Sequence, residues 1–292
     1  MRKTLFYKNV TVLDFAYYSS EGKIVGDAFR VDIFLSGKKN DEEMILDFSL
    51  VKKQIKKIID DICDHRLAIP KKLTKKESLS ITVEEDDFYY KAPEEAFYLL
   101  DAEVYSSEAL ARQLEKTILE QVPKNIDKVE LSFESEAEKQ SYFHYTHGLR
   151  DHGGNCQRLF HGHRNTVRVF LDHKREKGLE SWLSENEFQS NVHFCYWDNV
   201  QNKNEFSDVQ KRDLQIGRTS SNSLVHIAYE SNQGYFEGKL SPREVYFMPT
   251  ETTIENLSYN FAQIIRRNKQ ISSEIEVWGF EGIGKGAKST LT

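Results

Sequence analysis

The chain of 292 residues repeats one order of secondary-structure signals, first near residues 1–140 and again near 141–292. Each half contains alternating residues that predict strands, then segments of helical periodicity, and then a strand that carries a glutamate. The segments VGDAFRV and HGHRNTV share the template x-Gly-x-x-x-x-Val. Such a repeat restricts the fold to two similar strand–helix–strand units. We therefore predict an α+β protein of two domains, with the boundary between residues 140 and 141.

Three segments have the apolar spacing of amphipathic helices that lie on a sheet. The first is DFSLVKKQIKKIIDDICDHRL at 47–67, in which isoleucines at helical spacing oppose a lysine-rich face. The second is SSEALARQLEKTILEQVP at 106–123, and the third is TTIENLSYNFAQIIRR at 252–267. The third segment opens with the capping-box spacing from Thr252 to Glu255, which predicts a helix start at this point.

Composition excludes several classes of partner and predicts a globular protein. Hydrophobic residues make up 39 % of the chain, enough for a substantial core. The net charge of −6 argues against a general nucleic-acid binder, because phosphate neutralisation requires an excess of Lys and Arg. We expect neither a signal peptide nor a membrane span, because the N-terminal segment lacks a continuous apolar core and no apolar run is long enough to cross a membrane. Three irregularly spaced cysteines do not suggest a disulfide framework. We expect a cytoplasmic protein that binds neither nucleic acid nor membrane, with its longest loop at 206–223.

The stretch HYTHGLRDHGGNCQRLFHGHRN at 144–165 contains five of the nine histidines. On a strand, His161 and His163 point in the same direction. The alternation in SYFHYTHGL makes His147 the best third ligand. Three neutral imidazoles with one open position form a common kind of catalytic zinc site. A histidine-rich surface loop is the alternative, and it is disfavoured because the histidine pair continues into the apolar face of its strand.

Cys156 lies five residues before His161, and its role has two interpretations. As a fourth ligand it would close a structural metal site. As a free thiolate beside a cation it would act as a base or a nucleophile. The glycine-containing loop RDHGGNC favours the second interpretation, because it could hold the thiol near the metal without binding it. We therefore predict that Cys156 is catalytic.

FHYTHGL followed by C-x₄-HGH resembles the metal-binding signature of the 6-pyruvoyl-tetrahydropterin synthase and 6-carboxy-tetrahydropterin synthase family. That family has the T-fold, in which an antiparallel four-stranded sheet carries two helices on one face and several units assemble into barrels. Both halves of the chain resemble such a unit. The resemblance implies two tandem T-fold units, a Zn²⁺ cofactor, a small-molecule pterin substrate and a homo-oligomer of the barrel type.

Further positions resemble the family's functional residues. The first helical segment ends in Asp-His-x-Leu, which places Asp64 and His65 on the family's catalytic Asp-His pair. Alternatively, Asp64 caps the helix, and His65 interacts favourably with the negative C-terminal end of the helix dipole. Glu134 and Glu281, which each end a strand, resemble the family's pterin anchor, because a carboxylate accepts two parallel hydrogen bonds from an aminopyrimidinone edge. Which of the two glutamates serves the metal-bearing pocket stays open at this point.

The two halves depart from the family pattern in opposite ways. The first half has Val-Gly-Asp at 25–27 in place of HGH, lacks the cysteine, and replaces the first-strand histidine near Tyr17 or Tyr18. The second half keeps the metal residues and the thiol but lacks an Asp-His helix. Active sites in this family lie between neighbouring units. We therefore predict one composite site, to which residues 1–140 supply the Asp-His pair and residues 141–292 the zinc site and the cysteine.

The resemblance implies a carbon–oxygen lyase that acts on 7,8-dihydroneopterin triphosphate. Zinc would bind the side-chain hydroxyls, Cys156 would abstract a proton, and His65 backed by Asp64 would return one as triphosphate leaves. The product would be 6-carboxy-tetrahydropterin or 6-pyruvoyl-tetrahydropterin. Two alternatives are a zinc-dependent hydrolase of a purine or pterin, for which Cys156 is incidental, and a non-catalytic pterin-binding T-fold protein with a residual zinc site.

Overall fold

The structure, a computed structural model, describes residues 2–136, 140–210 and 217–292. Strands account for much of this part of the chain and are numbered in order: β1 Lys3–Tyr18, β2 Ile24–Gly37, β3 Leu67–Pro70, β4 Thr74–Glu77, β5 Ser80–Glu85, β6 Phe88–Pro93, β7 Phe97–Leu100, β8 Ile126–Glu134, β9 Phe143–His147, β10 His161–Asn165, β11 Arg168–Leu171, β12 Lys174–Arg175, β13 Asn191–Tyr196, β14 Val225–Ser231, β15 Gly234–Leu240, β16 Val245–Met248, β17 Ile275–Phe280 and β18 Gly286–Leu291. The predicted α+β class is confirmed.

The helices are α1 Phe48–Leu50, α2 Lys56–Cys63, α3 Ser107–Leu119, α4 Lys177–Ser181, α5 Ser207–Gln210 and α6 Ile254–Lys269. A π-helical turn, Val51–Ile55, joins α1 to α2, and a second one, Trp182–Glu187, continues α4. The three predicted amphipathic helices are therefore present. The predicted cap of α6 was wrong by one residue, because the side chain of Thr253 rather than Thr252 accepts the N–H of Asn256.

The predicted long loop at 206–223 contains α5 at its start, and its residues 211–216 lie outside the described residues. Among the helices of the described ranges, none combines the length and the apolar character that a membrane span needs.

The two halves share one order of strands. In the first half the order is β7-β3-β1-β2-β8, and α2 and α3 cover one face of this sheet. In the second half, β16-β13-β9-β10 forms one sheet and β18-β17-β11-β12 another. The order β16, β13, β9, then β10 and β11, then β17 reproduces the first when β10 and β11 together take the place of β2, and β12 and β18 are additional. Antiparallel pairs form the centre of each repeat, and β3 and β13 add to it in parallel.

Each half contains inserted antiparallel strands, β4–β6 in the first half and the hairpin β14–β15 in the second, and β15 pairs with β6. They form the sheet β14-β15-β6-β5-β4, in which Glu237 lies opposite Lys91. Beneath this sheet, Tyr90 of the first half packs against Phe160 of the second with ring centroids 4.7 Å apart. The residues on the two sides of the predicted boundary at 140/141 share a sheet and a core, and the boundary itself stays a prediction.

The repeats also meet at two glycines, Gly26 of β2 and Gly162 of β10. A Cβ atom on Gly162 would lie 2.4 Å from the Cα of Gly26, and one on Gly26 would lie 1.9 Å from the carbonyl oxygen of Tyr145. Only glycine permits this approach of two backbones. Gly26 pairs with Ala16 as Gly162 pairs with Thr146, so a pseudo-twofold axis relates the hairpin β1–β2 to the hairpin β9–β10.

Candidate metal centre and active site

The three predicted metal ligands, His147, His161 and His163, come together where β9 pairs with β10. His147 lies directly opposite His161 in the ladder, and His163 follows on the same face of β10. All three side chains are fully buried. Each offers a ring nitrogen, and these nitrogens lie within 4.8 Å of one another. The local alternation of the two strands is thus sufficient to assemble the cluster.

Hydrogen bonds determine which nitrogen is free on two of the rings. Nδ1 of His147 donates to the carbonyl oxygen of Thr252, and Nδ1 of His161 donates to that of Arg158, both at 2.8 Å. A carbonyl oxygen only accepts, so Nδ1 carries the proton and Nε2 carries a lone pair. Both Nε2 atoms are buried without a hydrogen-bond partner among the described residues. Such orphaned nitrogens fit a metal ion, whose histidine ligands commonly donate the other ring N–H in this way.

The protonation state of these rings also suits a metal. Burial lowers the pKa of His147 and of His161 well below the usual imidazole range, and neighbouring imidazoles lower it further. Both rings are therefore neutral near pH 7, which is the state that binds a cation. A set of three imidazoles fits Zn²⁺ with one coordination position left over.

His163 lies between two carboxylates. Its Nδ1 is 3.6 Å from Oδ1 of Asp14, and its Nε2 is 3.6 Å from Oε1 of Glu281. Asp14 is buried and also forms an ion pair with Nζ of Lys285 at 3.0 Å. Burial raises the pKa of Asp14, but His163 and Lys285 outweigh burial and hold it below its usual value. Asp14 was not predicted as a site residue, although an aspartate within the apolar segment VLDFAYY was a usable signal.

Asp64 and His65 approach the cluster from the end of α2. The ring centroid of His65 is 5.3 Å from that of His161 and 5.6 Å from that of His163. Nδ1 of His65 bonds to Oδ2 of Asp64 at 2.6 Å. The backbone of His65 has a φ of 56°, a left-handed conformation that is rare outside glycine, and its N–H donates to the carbonyl oxygen of Asp14 at 2.7 Å. The pair from the first half thus faces the histidines of the second.

Cys156 lies half-buried in a short 3₁₀ turn at 155–157. Its sulfur and ring nitrogens of His65 and His161 lie within 4.8 Å of one another. Burial lowers the pKa of His65, but hydrogen bonds to Asp64 and Cys156 outweigh burial and raise it to about 10. Because Nδ1 of His65 bonds to Asp64, Nε2 is the nitrogen available to the thiol. The thiol is therefore next to both a base and the metal ligands.

Two residues that the sequence analysis missed as site residues hold the cluster in place. The carbonyl and hydroxyl oxygens of Thr252 lie 2.8 and 3.1 Å from Nδ1 of His147. The carbonyl of Arg158 accepts from His161, while its guanidinium donates to the backbone carbonyls of the Asp-His pair at 3.3 and 3.4 Å. No local pattern signals the role of Thr252. For Arg158, the available signal was its position three residues before His161.

The two predicted substrate glutamates lie in different places. Glu281 follows β17 beside His163, and its side chain is 20 % exposed, so it can contact both the cluster and a bound molecule. Glu134 ends β8 opposite Arg30, and its side chain is exposed without a hydrogen bond or ion pair to any described residue. The structure therefore brings Glu281, and not Glu134, to the histidines.

Comparison with known proteins finds similarity to enzymes of pterin metabolism. A sequence model described as 6-pyruvoyl tetrahydropterin synthase matches residues 12–139. A provisionally named 6-carboxy-5,6,7,8-tetrahydropterin synthase of Pyrococcus horikoshii is 27 % identical over 119 residues, which is 41 % of this chain and 73 % of the relative. The protein of the same name from Pyrococcus abyssi is 25 % identical over 117 residues, 40 % of this chain and 71 % of that relative.

Solved structures give matches of similar extent. The 6-pyruvoyl tetrahydropterin synthase of Plasmodium vivax is 15 % identical with a TM-score of 0.39, and the match covers 48 % of this chain and 94 % of that one. The Plasmodium falciparum protein is 19 % identical with a TM-score of 0.38, and the match covers 46 % of this chain and 91 % of that one.

Proposed function

Because the chain contains, at residues 12–139, a domain of the 6-pyruvoyl tetrahydropterin synthase family, we propose that it is a zinc-dependent pterin synthase and a carbon–oxygen lyase. Its substrate would be 7,8-dihydroneopterin triphosphate. Besides triphosphate, it would release either 6-pyruvoyl-tetrahydropterin or, with addition of water and loss of acetaldehyde, 6-carboxy-tetrahydropterin. The observation that carries this proposal is the meeting of three imidazoles from one repeat with an Asp-His pair from the other beside a single thiol. A homo-oligomer and a cytoplasmic location stay predictions.

The histidine cluster would hold the zinc ion. Bound zinc supplies Lewis acidity, which polarises substrate oxygens and makes adjacent C–H groups more acidic. Nε2 of His147 and of His161 carry the free lone pairs, and the carbonyls of Thr252 and Arg158 keep these rings in the required orientation. Asp14 would orient His163 from the opposite repeat.

Cys156 and His65 would move the protons. The thiol can pass its proton to Nε2 of His65, and the thiolate that results is the stronger base toward carbon-bound protons. Asp64, bonded to Nδ1, stabilises the imidazolium and keeps its ring directed at the thiol. The thiolate then takes a proton from one carbon of the substrate side chain, and the imidazolium delivers a proton to another position.

Glu281 would bind the pterin ring. Its carboxylate follows β17 at the edge of the cluster and is partly exposed, so it can accept two parallel hydrogen bonds from an aminopyrimidinone edge. We assign the anchor to Glu281 because Glu134 has no described contact with the cluster. The hydrolase alternative requires no thiol, so the position of the Cys156 sulfur within 4.8 Å of a ring nitrogen of His65 favours the synthase.

Substitution of Cys156 tests this function. Zinc-loaded protein is incubated with 7,8-dihydroneopterin triphosphate, and triphosphate and pterin products are followed by mass spectrometry. The wild type should release triphosphate, and Cys156→Ala should lose about 100-fold or more of that rate because its proton transfer is removed. Cys195→Ala is the matched control, since Cys195 is buried in β13 and bonds only to its neighbour's carbonyl among the described residues.

The outcomes separate the candidate functions. Hydrolysis products that persist in Cys156→Ala would identify a zinc hydrolase instead. If the wild type binds pterin but releases no triphosphate, the protein is a non-catalytic pterin binder, and the synthase proposal is wrong.

A further inference from the structure

The pseudo-twofold axis at Gly26 and Gly162 relates the metal-bearing cluster to a second cluster in the first repeat. A residue at a given place in the ladder relative to Gly26 corresponds to the residue at the same place relative to Gly162. This correspondence equates Tyr17 with His147, Val25 with His161, and Asp27 with His163. Two imidazoles are thus replaced by side chains that bind zinc poorly, while the third is replaced by a carboxylate.

Contacts across the axis obey the same symmetry. Asp14 in β1 corresponds to His144 in β9. His163 lies 3.6 Å from Asp14, and in the counterpart Asp27 lies 3.9 Å from Nδ1 of His144. Each cluster is therefore built from both repeats. The second cluster keeps the composite construction of the metal centre, although its metal ligands are gone.

Asp27 is the buried carboxylate at the base of the second cluster. It is 8 % exposed, and its Oδ1 accepts the N–H of Ala28 at 2.9 Å. Burial raises the pKa of Asp27, against the opposing charges of His144 and Arg164. Within the described ranges, no lysine or arginine forms an ion pair with it. A buried carboxylate with so few donors is costly to keep, and it is a ready acceptor for the N–H groups of a ligand.

Flat groups surround this carboxylate. The rings of Tyr17 and Tyr105 stack at 3.9 Å and 12°, and the guanidinium of Arg164 lies 3.6 Å from the centre of the Tyr142 ring. Burial, together with nearby Asp27 and Tyr142, raises the pKa of Tyr17 to about 12. Arg164 is 7 % exposed, yet its Nε has no hydrogen-bond partner among the described residues, and the same holds for the buried hydroxyl of Tyr105. Two donors without a partner, Nε of Arg164 and the hydroxyl of Tyr105, therefore lie near the Asp27 carboxylate, which accepts few hydrogen bonds.

We propose that this second cluster is a metal-free binding site for a flat nitrogen heterocycle with a guanidine-like edge. Asp27 accepts two N–H groups from that edge, the tyrosine rings and the Arg164 guanidinium stack on the heterocycle, and the free donors bind its oxygen or ring nitrogens. Pterin and guanine both have this edge, and the choice of pterin rests on the proposed function. Because Tyr17 and Val25 replace two metal ligands, the site binds its ligand without transforming it.

The experiment counts binding sites by calorimetry. Zinc-loaded wild type is titrated with unsubstituted pterin, and guanine is used in a parallel arm. We expect two equivalents of pterin per chain. Asp27→Asn should weaken one of them about 100-fold, because a buried carboxylate–N–H pair is lost. Tyr142→Ala, at a half-buried position, should weaken the same one about 10-fold through lost stacking. Circular dichroism of each variant checks the fold.

The results separate this proposal from the proposed function. If Asp27→Asn and Tyr142→Ala both leave pterin stoichiometry and affinity unchanged, the second site does not exist. A single equivalent that Asp27→Asn weakens and Glu281→Gln does not would retain the second site and contradict the anchor role of Glu281. Guanine that binds in place of pterin with higher affinity would keep the site and change its ligand.

Discussion

The histidine cluster and the cluster around Asp27 lie on equivalent hairpins that present different side chains. One has three buried imidazoles, and the other has Tyr17, Val25 and Asp27 at the same positions. Each hairpin has a glycine at the axis, Gly26 or Gly162, because the opposite backbone passes too close for a Cβ atom. The packing of the repeats therefore requires glycine at the axis, whereas the residues on either side of the axis can differ between the repeats.

The first repeat contributes to the histidine cluster of the second. It supplies Asp64, His65 and Asp14, which face histidines of the second repeat. The second repeat returns His144 and Arg164 to the cluster around Asp27. Each cluster contains residues of both repeats. The cluster around Asp27 can therefore lack metal ligands while the histidine cluster keeps all three.

The largest difference between the clusters should be in zinc affinity. His147→Gln should lower it at least about 100-fold, because one of three nitrogen ligands is removed. Tyr17→Phe, at the equivalent position, should leave it unchanged. Competition with a chromophoric chelator measures both. A comparable loss of zinc from Tyr17→Phe would break the assignment of the metal to one side of the axis.

A second difference concerns the acid–base pair. Asp64→Asn should lower kcat about 100-fold with little change in KM, because the His65 imidazolium loses its carboxylate partner. Asp61→Asn on the same helix is the control, since the Asp61 side chain is exposed and, among the described residues, forms an ion pair with Lys57 alone. Steady-state kinetics with 7,8-dihydroneopterin triphosphate provides the test. Equal effects of the two substitutions would reduce Asp64 to a structural role.

The glycines at the axis test whether the clusters share one scaffold. Gly26→Ala and Gly162→Ala should each lower the free energy of unfolding by about 3 kcal/mol, because the added Cβ meets backbone atoms that cannot move aside. Gly153→Ala should change it by less than about 0.5 kcal/mol, since no atom lies within 4 Å of its added Cβ. Urea denaturation measures all three. A strongly unequal effect of the two axial substitutions would weaken the pseudo-symmetry.

The smallest expected effect depends on pH. Glu251 precedes Thr252 on the metal side, and burial raises its pKa to about 7. The ionised form is thus disfavoured in the folded protein, and stability falls as pH rises from the unfolded value near 4.5 through 7. Glu251→Gln should raise the free energy of unfolding by about 1 kcal/mol at pH 8, once solvent screening is allowed for, and by little at pH 5.

The matched control for Glu251 is its counterpart across the axis. The position of Val104 before Tyr105 corresponds to that of Glu251 before Thr252. The side chain of Val104 is exposed. Val104→Gln should therefore show no dependence on pH in the same denaturation series. A gain from Glu251→Gln that is equal at pH 5 and pH 8 would show that ionisation is not its cause.

Local periodicity was sufficient to predict several parts of the structure. The three amphipathic helices follow from apolar spacing within single segments, and the shared direction of His161 and His163 follows from the two-residue period of a strand. The meeting of His147 with His161 needs only the antiparallel pairing of two neighbouring strands. These features depend on residues close in the sequence, where pattern and geometry are directly linked.

Contacts between distant segments could not be predicted in this way. The sequence left Glu134 and Glu281 equivalent, and only the packed repeats place Glu281 beside His163. The bond from His147 to Thr252 joins residues 105 positions apart, and no local pattern encodes it.

The sequence by itself therefore determined the repeated units, their helices and the three candidate metal ligands. Only the tertiary structure decided that Asp14 faces His163, that the inserted strands of both halves share a sheet, and that a second polar cluster forms around Asp27. The physical reason is that these contacts depend on how closely two backbones approach at Gly26 and Gly162, which is a property of the packed repeats together.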